Sequence, residues 1–146
     1  GGMRTLARSG REGWGPHVTP KGPRTFLFFR DASGAVSEVS DGDATYVREG
    51  LALPAVPPPA YRALVGRYAA HGEEGPSVRI YTRGAALVMS YADSALATPL
   101  VADGAGGFRF EKPSYAPEWL RFDTIVEGKS QRLSFSGAAL YRIDLP

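Results

Sequence analysis

From residue 64 onward the chain alternates apolar and polar positions in short runs, each broken by Gly, Pro or Asp. A period of two sends successive side chains to opposite faces of a strand, so this pattern predicts antiparallel β-structure. Runs of this kind cover 64–70, 77–83, 86–92, 97–102, 107–112, 118–125, 130–136 and 139–145. Within 86–92, Leu87, Met89 and Tyr91 share a face. Within 118–125, Leu120 and Phe122 lie opposite Arg121 and Asp123, and within 130–136 Leu133 and Phe135 alternate with Arg132, Ser134 and Ser136. The last run groups Tyr141, Ile143 and Leu145. Arg83-Gly84, Asp103-Gly104 and Glu127-Gly128 fall between runs, where glycine supplies the positive φ of tight turns. The expectation is an all-β fold, an antiparallel up-and-down barrel of about eight strands or a strongly curled sheet. Leu87, Met89, Phe108, Leu120, Phe122, Leu133 and Tyr141 are expected to point inward. One helical turn is predicted over 58–64, opening on a proline.

The chain also repeats itself. Residues 6–48 and 100–142 align without a gap at an offset of 94. Leu6, Gly10, Gly13, Pro23, Phe28, Gly34, Ser40, Ala44 and Arg48 return as Leu100, Gly104, Gly107, Pro117, Phe122, Gly128, Ser134, Ala138 and Arg142. Nine identities in 43 positions are roughly three times the chance level for so Gly- and Ala-rich a chain. The matches fall on turn and core positions, so the repeat speaks to architecture. Nothing before Leu6 answers to the segment before Leu100, which makes residues 4–49 the second half of a repeat unit and residues 60–146 a complete barrel unit. Residues 50–59, with the run LALPAVPPP, read as a linker held semi-rigid by polyproline geometry. A half unit leaves an open sheet edge, which something is expected to cover: the second unit, another copy of the chain in a homodimer, or a preceding region.

Composition narrows the chemistry. With 43% apolar and 11% aromatic residues in 146, the chain can bury a core. No apolar run reaches the roughly 18 residues of a membrane span, so no membrane insertion is expected. Cysteine is absent, which excludes disulfides and thiolate metal sites. The net charge of +2 comes from arginines spread singly along the chain, unlike the clustered stripe of a nucleic-acid binder, so no nucleic acid is expected as a partner.

Candidate sites are few. His17 and His71 read as loop histidines outside any dense ligand motif, so no metal is expected. Asp41-Gly42-Asp43 lacks the spaced oxygens of a calcium loop and reads as a turn. Glu73-Glu74 reads as a solvated turn. The glycines from Gly104 to Gly107 precede a strand and no helix, unlike a phosphate loop. Arg48 and Arg142 recur beside Tyr46 and Tyr141. They could recognise an anion inside a barrel, or serve structure by stacking on an aromatic or by closing the barrel through a carboxylate contact. Recurrence in both units favours the structural role. No catalytic constellation and no cofactor motif is present, so the chain is not expected to be an enzyme.

At Leu64, Gly66 and Tyr68 the sequence carries an L-x-G-x-Y motif that resembles the opening of the C-terminal accessory domain of bacterial serine hydrolases of the β-lactamase and penicillin-binding-protein class. Val78 and Ile80, Leu87, Pro99-Leu100, Asp103-Gly104, Phe108, Phe122, Gly128 and Tyr141-Arg142 follow in the family's order. Phe28, Asp31, Gly34 and Val36 match its F-x-x-D-x-x-G-x-V. The resemblance implies a lipocalin-like barrel placed after a catalytic domain, outside the cytoplasm, serving assembly or shaping access to the upstream active site. Its structural positions would be Gly66, Tyr68, Gly104, Phe108, Phe122, Gly128 and Arg142, with Phe28, Gly34 and Arg48 in the half unit. The catalytic motifs of that class are missing: Val18, Arg109 and Val126 stand three before the three lysines, so no Ser-x-x-Lys exists. The partner implied is the upstream catalytic domain or another copy of the chain. The rival expectation is a small apolar ligand carrier, since a barrel of eight strands can enclose a cavity.

Overall fold

A computed structural model describes residues 8–9, 13–19, 22–40, 45–72, 75–92, 94, 97–111 and 118–143, with side chains from residue 26 onward. The chain forms two compact units, one built from Gly1–Pro54 and one from Ala55–Asp144. In the first, β1 (Arg8–Ser9), β2 (Gly13–Thr19), β3 (Gly22–Arg30), β4 (Val36–Ser40) and β5 (Thr45–Val47) form an antiparallel sheet in sequence order. In the second, a 3-10 helix (Pro59–Ala63) leads into β6 (Gly66–Ala69), β7 (Ser77–Arg83), β8 (Ala86–Tyr91), β9 (Ala97–Ala102), β10 (Phe108–Phe110), β11 (Trp119–Val126), β12 (Lys129–Phe135) and β13 (Ala138–Arg142). Each strand pairs with the next, and β13 pairs with β6 to close an eight-stranded up-and-down barrel. The all-β barrel expected from the alternation is the fold observed.

Tight turns set the hairpins. Glu127 (φ 50) and Gly128 (φ 75) join β11 to β12, and Ser136 (φ 46) and Gly137 (φ 93) join β12 to β13. Two consecutive positive φ values match the natural strand twist and hold the register of each hairpin. Looser connections use carboxylate caps instead. Asp103 Oδ1 accepts the Ala105 and Gly107 amides at 2.7 and 2.9 Å. Asp31 Oδ1 accepts the Ser33 and Ala35 amides at 2.9 and 3.2 Å. Gly34 (φ 83) and Gly104 (φ 77) lie within these loops.

The internal repeat is visible in the register. Arg8↔Trp14, Trp14↔Phe26, Phe28↔Val39 and Val39↔Tyr46 pair in the sheet. The positions 94 residues later pair identically in the barrel: Ala102↔Phe108, Phe108↔Leu120, Phe122↔Leu133 and Leu133↔Leu140. Regularity breaks at matching places, with a bulge between Phe29 and Arg30 in β3 and a positive φ of 56° at Thr124 in β11.

The barrel interior is filled by Tyr68, Val78, Ile80, Leu87, Met89, Leu100, Leu120, Leu133, Phe135 and Leu140, with Phe108 and Phe122 packed against them. Two expectations need correction, at Tyr141 and at His17. Tyr141 is 39% exposed, while Leu140 beside it is fully buried, so β13 presents the opposite parity to the one predicted. Tyr91 shares the face of Leu87 and Met89 as expected, opposite Val78, and is exposed because it ends β8. His17 lies within strand β2, not a loop. The predicted helical turn is present as the 3-10 helix, capped by Pro58 and Leu64. Asp41, Gly42, Asp43, Glu73 and Glu74 lie outside the described residues.

Candidate functional site

The most ordered polar arrangement described inside the barrel is built around Arg142, at the seam where β13 meets β6. Arg142 pairs directly with Tyr68. Its Nε donates to the Ser130 carbonyl at 2.6 Å, and Nη1 donates to the Val65 carbonyl at 2.8 Å. Nη2 donates to the Ala63 carbonyl at 3.2 Å and to Tyr68 Oη at 2.9 Å. The guanidinium carbon lies 5.1 Å from the Tyr68 ring centroid, within cation–π range. A guanidinium has five N–H groups, and four contacts to the chain itself leave little of it for an outside ligand.

Every residue of the L-x-G-x-Y motif serves this arrangement. The Leu64 carbonyl accepts the Tyr68 hydroxyl at 2.8 Å, which turns the oxygen's lone pairs toward Arg142. Gly66 leaves the space the guanidinium needs: a Cβ there would come within 2.8 Å of Arg142 Cζ. Tyr68 supplies both the ring and the hydroxyl. Burial pushes the Tyr68 phenol up from its ordinary value, with the Arg142 charge opposing part of that shift. The phenol therefore stays protonated and able to donate.

From Tyr68 a train of rings runs through the core. Tyr68 meets Phe122, Phe122 meets Phe108 and Phe108 meets Tyr61, each edge-to-face at 5.8 Å between centroids. This is the favoured aromatic geometry, and it links the 3-10 helix, β10, β11 and β6. Phe108 and Phe122 thus belong to the same assembly as Gly66, Tyr68 and Arg142. Gly128 and Gly104 stand apart from it, in turns.

In the five-stranded sheet Arg48 takes a different course. Its Nη2 pairs with Asp31 Oδ2 at 2.9 Å and its Nη1 approaches the Val36 carbonyl at 3.5 Å. This is a carboxylate contact, but in the five-stranded sheet it closes no barrel. Arg142 instead takes backbone carbonyls and the ring of Tyr68, and Tyr141 stacks on His71 at 4.4 Å. Sequence reasoning missed Ser130, fully buried, whose hydroxyl sits 2.9 Å from the Arg132 carbonyl and 3.0 Å from that of Asp123. Period two puts Ser130 on the side of Arg132 and Ser134, opposite Leu133 and Phe135, so no local signal marked it as buried. Among the described residues no group of three or more His, Asp or Glu side chains converges as a metal site. No helix of the described residues is long and apolar enough to cross a membrane.

The fold and this seam define a closed up-and-down β-barrel packed with its own side chains. Comparison of the chain with known protein families, with curated proteins and with solved structures finds no match.

Proposed function

We propose that this chain is a non-catalytic accessory module of a β-lactamase-like serine hydrolase, serving assembly or shaping the approach to an active site on another domain. The observation that carries the reading is the seam at Arg142. The charged group inside the barrel is directed at four acceptors of the chain itself, which is the chemistry of a structural lock. The hydrolase context rests on the order of motifs from Leu64 to Arg142, and the shared use of Leu64, Gly66 and Tyr68 at one seam gives that motif a physical reason. The filled interior argues against the ligand-carrier alternative, since Leu87, Met89, Leu120 and Leu133 occupy the space a ligand would need.

Two measurements test the proposal. The purified chain should turn over neither a chromogenic ester nor a chromogenic β-lactam; turnover abolished by replacing one serine would overturn the non-catalytic reading. Reading the coding sequence on the 5′ side should reveal a domain with Ser-x-x-Lys. A reading frame opening at Met3 would remove the hydrolase context. Saturable uptake of a fluorescent fatty acid, lost in a barrel-filling variant such as Ala70→Phe, would transfer the assignment to a carrier.

A further inference from the structure

Strands β6 and β7 place Arg67 directly opposite Arg79. Directly opposed residues project from the same face, with Cβ atoms about 4.5–5.5 Å apart. Their neighbours Val78 and Ile80 are buried in the core, so the two arginines stand on the outer face of the barrel. Neither is fully in solvent: both are partly buried. Arg67 Nε donates to Ser77 Oγ at 3.1 Å. On its other side Arg79 faces Ser90 of β8, and Tyr81, Val88 and Ser90 beside it are almost completely buried. Burial, followed by the Arg67 charge, lowers the guanidinium pKa of Arg79 from its ordinary value. The ion pairs of Arg48 with Asp31 and of Arg132 with Asp123 lie elsewhere, and among the described residues no carboxylate meets Arg67 or Arg79.

Like charges directly opposite each other destabilise a sheet, and partial burial with no counter-charge among the described residues adds to that cost. The opposed arginines carry two planar guanidinium forks, each with several N–H donors, on one face of adjacent strands. That is the geometry a carboxylate or phosphate bridges, with charge-assisted bonds to both forks. We infer that Arg67 and Arg79 form a binding site for a small oxoanion on the outer face of β6 and β7, with the Ser77 hydroxyl as an additional partner. The site is independent of the seam at Arg142 and of the hydrolase context.

The test is thermal unfolding of the full chain in inorganic phosphate, sodium acetate or sodium chloride at matched ionic strength, with affinity measured by calorimetry. Phosphate or acetate should raise the melting midpoint saturably while chloride does not, and the stronger of the two identifies the oxoanion. Arg79→Met should raise the midpoint in chloride, because the repulsion is relieved, and should weaken phosphate or acetate binding by at least about tenfold. Arg67→Lys/Arg79→Lys keeps both charges but loses the planar forks, and should also bind more weakly. Equal responses to all three salts would overturn the site. So would an Arg79→Met variant destabilised alike in every salt, since the pair would then be neutralised by the chain's own carboxylates.

Discussion

Arg142 in the barrel and Arg48 in the five-stranded sheet occupy the same place in the repeat but end in different company. Each reaches the strand beside it at equivalent carbonyls, Ser130 for Arg142 and Val36 for Arg48. Beyond that contact Arg142 is taken up by Ala63, Val65 and Tyr68, while Arg48 turns to the carboxylate of Asp31. The neighbouring core position follows suit. Leu140 is fully buried, and Tyr46, its counterpart, is 57% exposed. Strand register is therefore written into the repeated residues, because both units pair alike up to the bulge at Arg30. Closure is written elsewhere, in residues 59–69, outside the repeated span of 6–48 and 100–142.

The largest expected effect breaks the comparison at its aromatic position. Phe122→Ala removes a ring held between Tyr68 and Phe108 and should cost about 3–5 kcal/mol in chemical denaturation. Phe28→Ala, at the matching site of the sheet, should cost clearly less. Equal costs would mean that the sheet buries its phenylalanine as completely as the barrel does. Arg142→Met should cost about 2–3 kcal/mol, because buried carbonyls lose their donor. Arg48→Met should leave the melting midpoint within experimental scatter, as expected for an exposed pair. If the two variants behave alike, the seam is not what distinguishes the units.

Gly66→Ala sharpens the same point. It should cost about 1–3 kcal/mol by displacing the guanidinium. Combined with Arg142→Met it should cost little more than Arg142→Met alone, since the group it displaces is gone. Full additivity would place the effect of Gly66 in its backbone and not in the space beside it.

The smallest effect lies in acid. Donation from the Ser33 hydroxyl holds the Asp31 carboxyl below its ordinary value of 3.8, and the Ala105 amide does the same for Asp103. A depressed folded-state pKa contributes stability that is complete above the unfolded value and lost as pH falls through the folded one. Carboxyl resonances of both residues should therefore titrate below pH 3.8 in the folded protein. Asp103→Asn should flatten the acid limb of the stability profile between those values. Midpoints at or above 3.8 would show that the caps do not hold in solution.

Most of the barrel was legible because period-two alternation and glycine turns act locally. The runs 77–83 and 97–102 coincide with β7 and β9. The parity of β13 was misread because its inward positions are Leu140 and Arg142. Hydropathy assigns an arginine to the solvent side, and its burial is made tolerable by acceptors on Ser130, Tyr68 and above all the carbonyls of Ala63 and Val65. That information lies nearly eighty positions away in the chain, beyond the reach of any local pattern. The role of Gly66 was hidden for the same reason: its constraint comes from a side chain on a distant strand. The paired arginines of β6 and β7 were equally invisible, since their opposition depends on a register that no single run displays.

The contacts of Arg142 with Val65 and Ala63 span 77 and 79 residues. A sheet that grows hairpin by hairpin can form β6 to β12 from near neighbours, yet it stays an open ribbon until β13 arrives. Closure then demands one long loop-closing event, the kind that slows folding most. On the ribosome, where the chain emerges in order, the barrel can be completed only after its last strand has left the exit tunnel. Until then the rings of Tyr68, Phe108 and Phe122 stand without their full enclosure. The most vulnerable interval in the life of this protein is thus the one just before Arg142 appears.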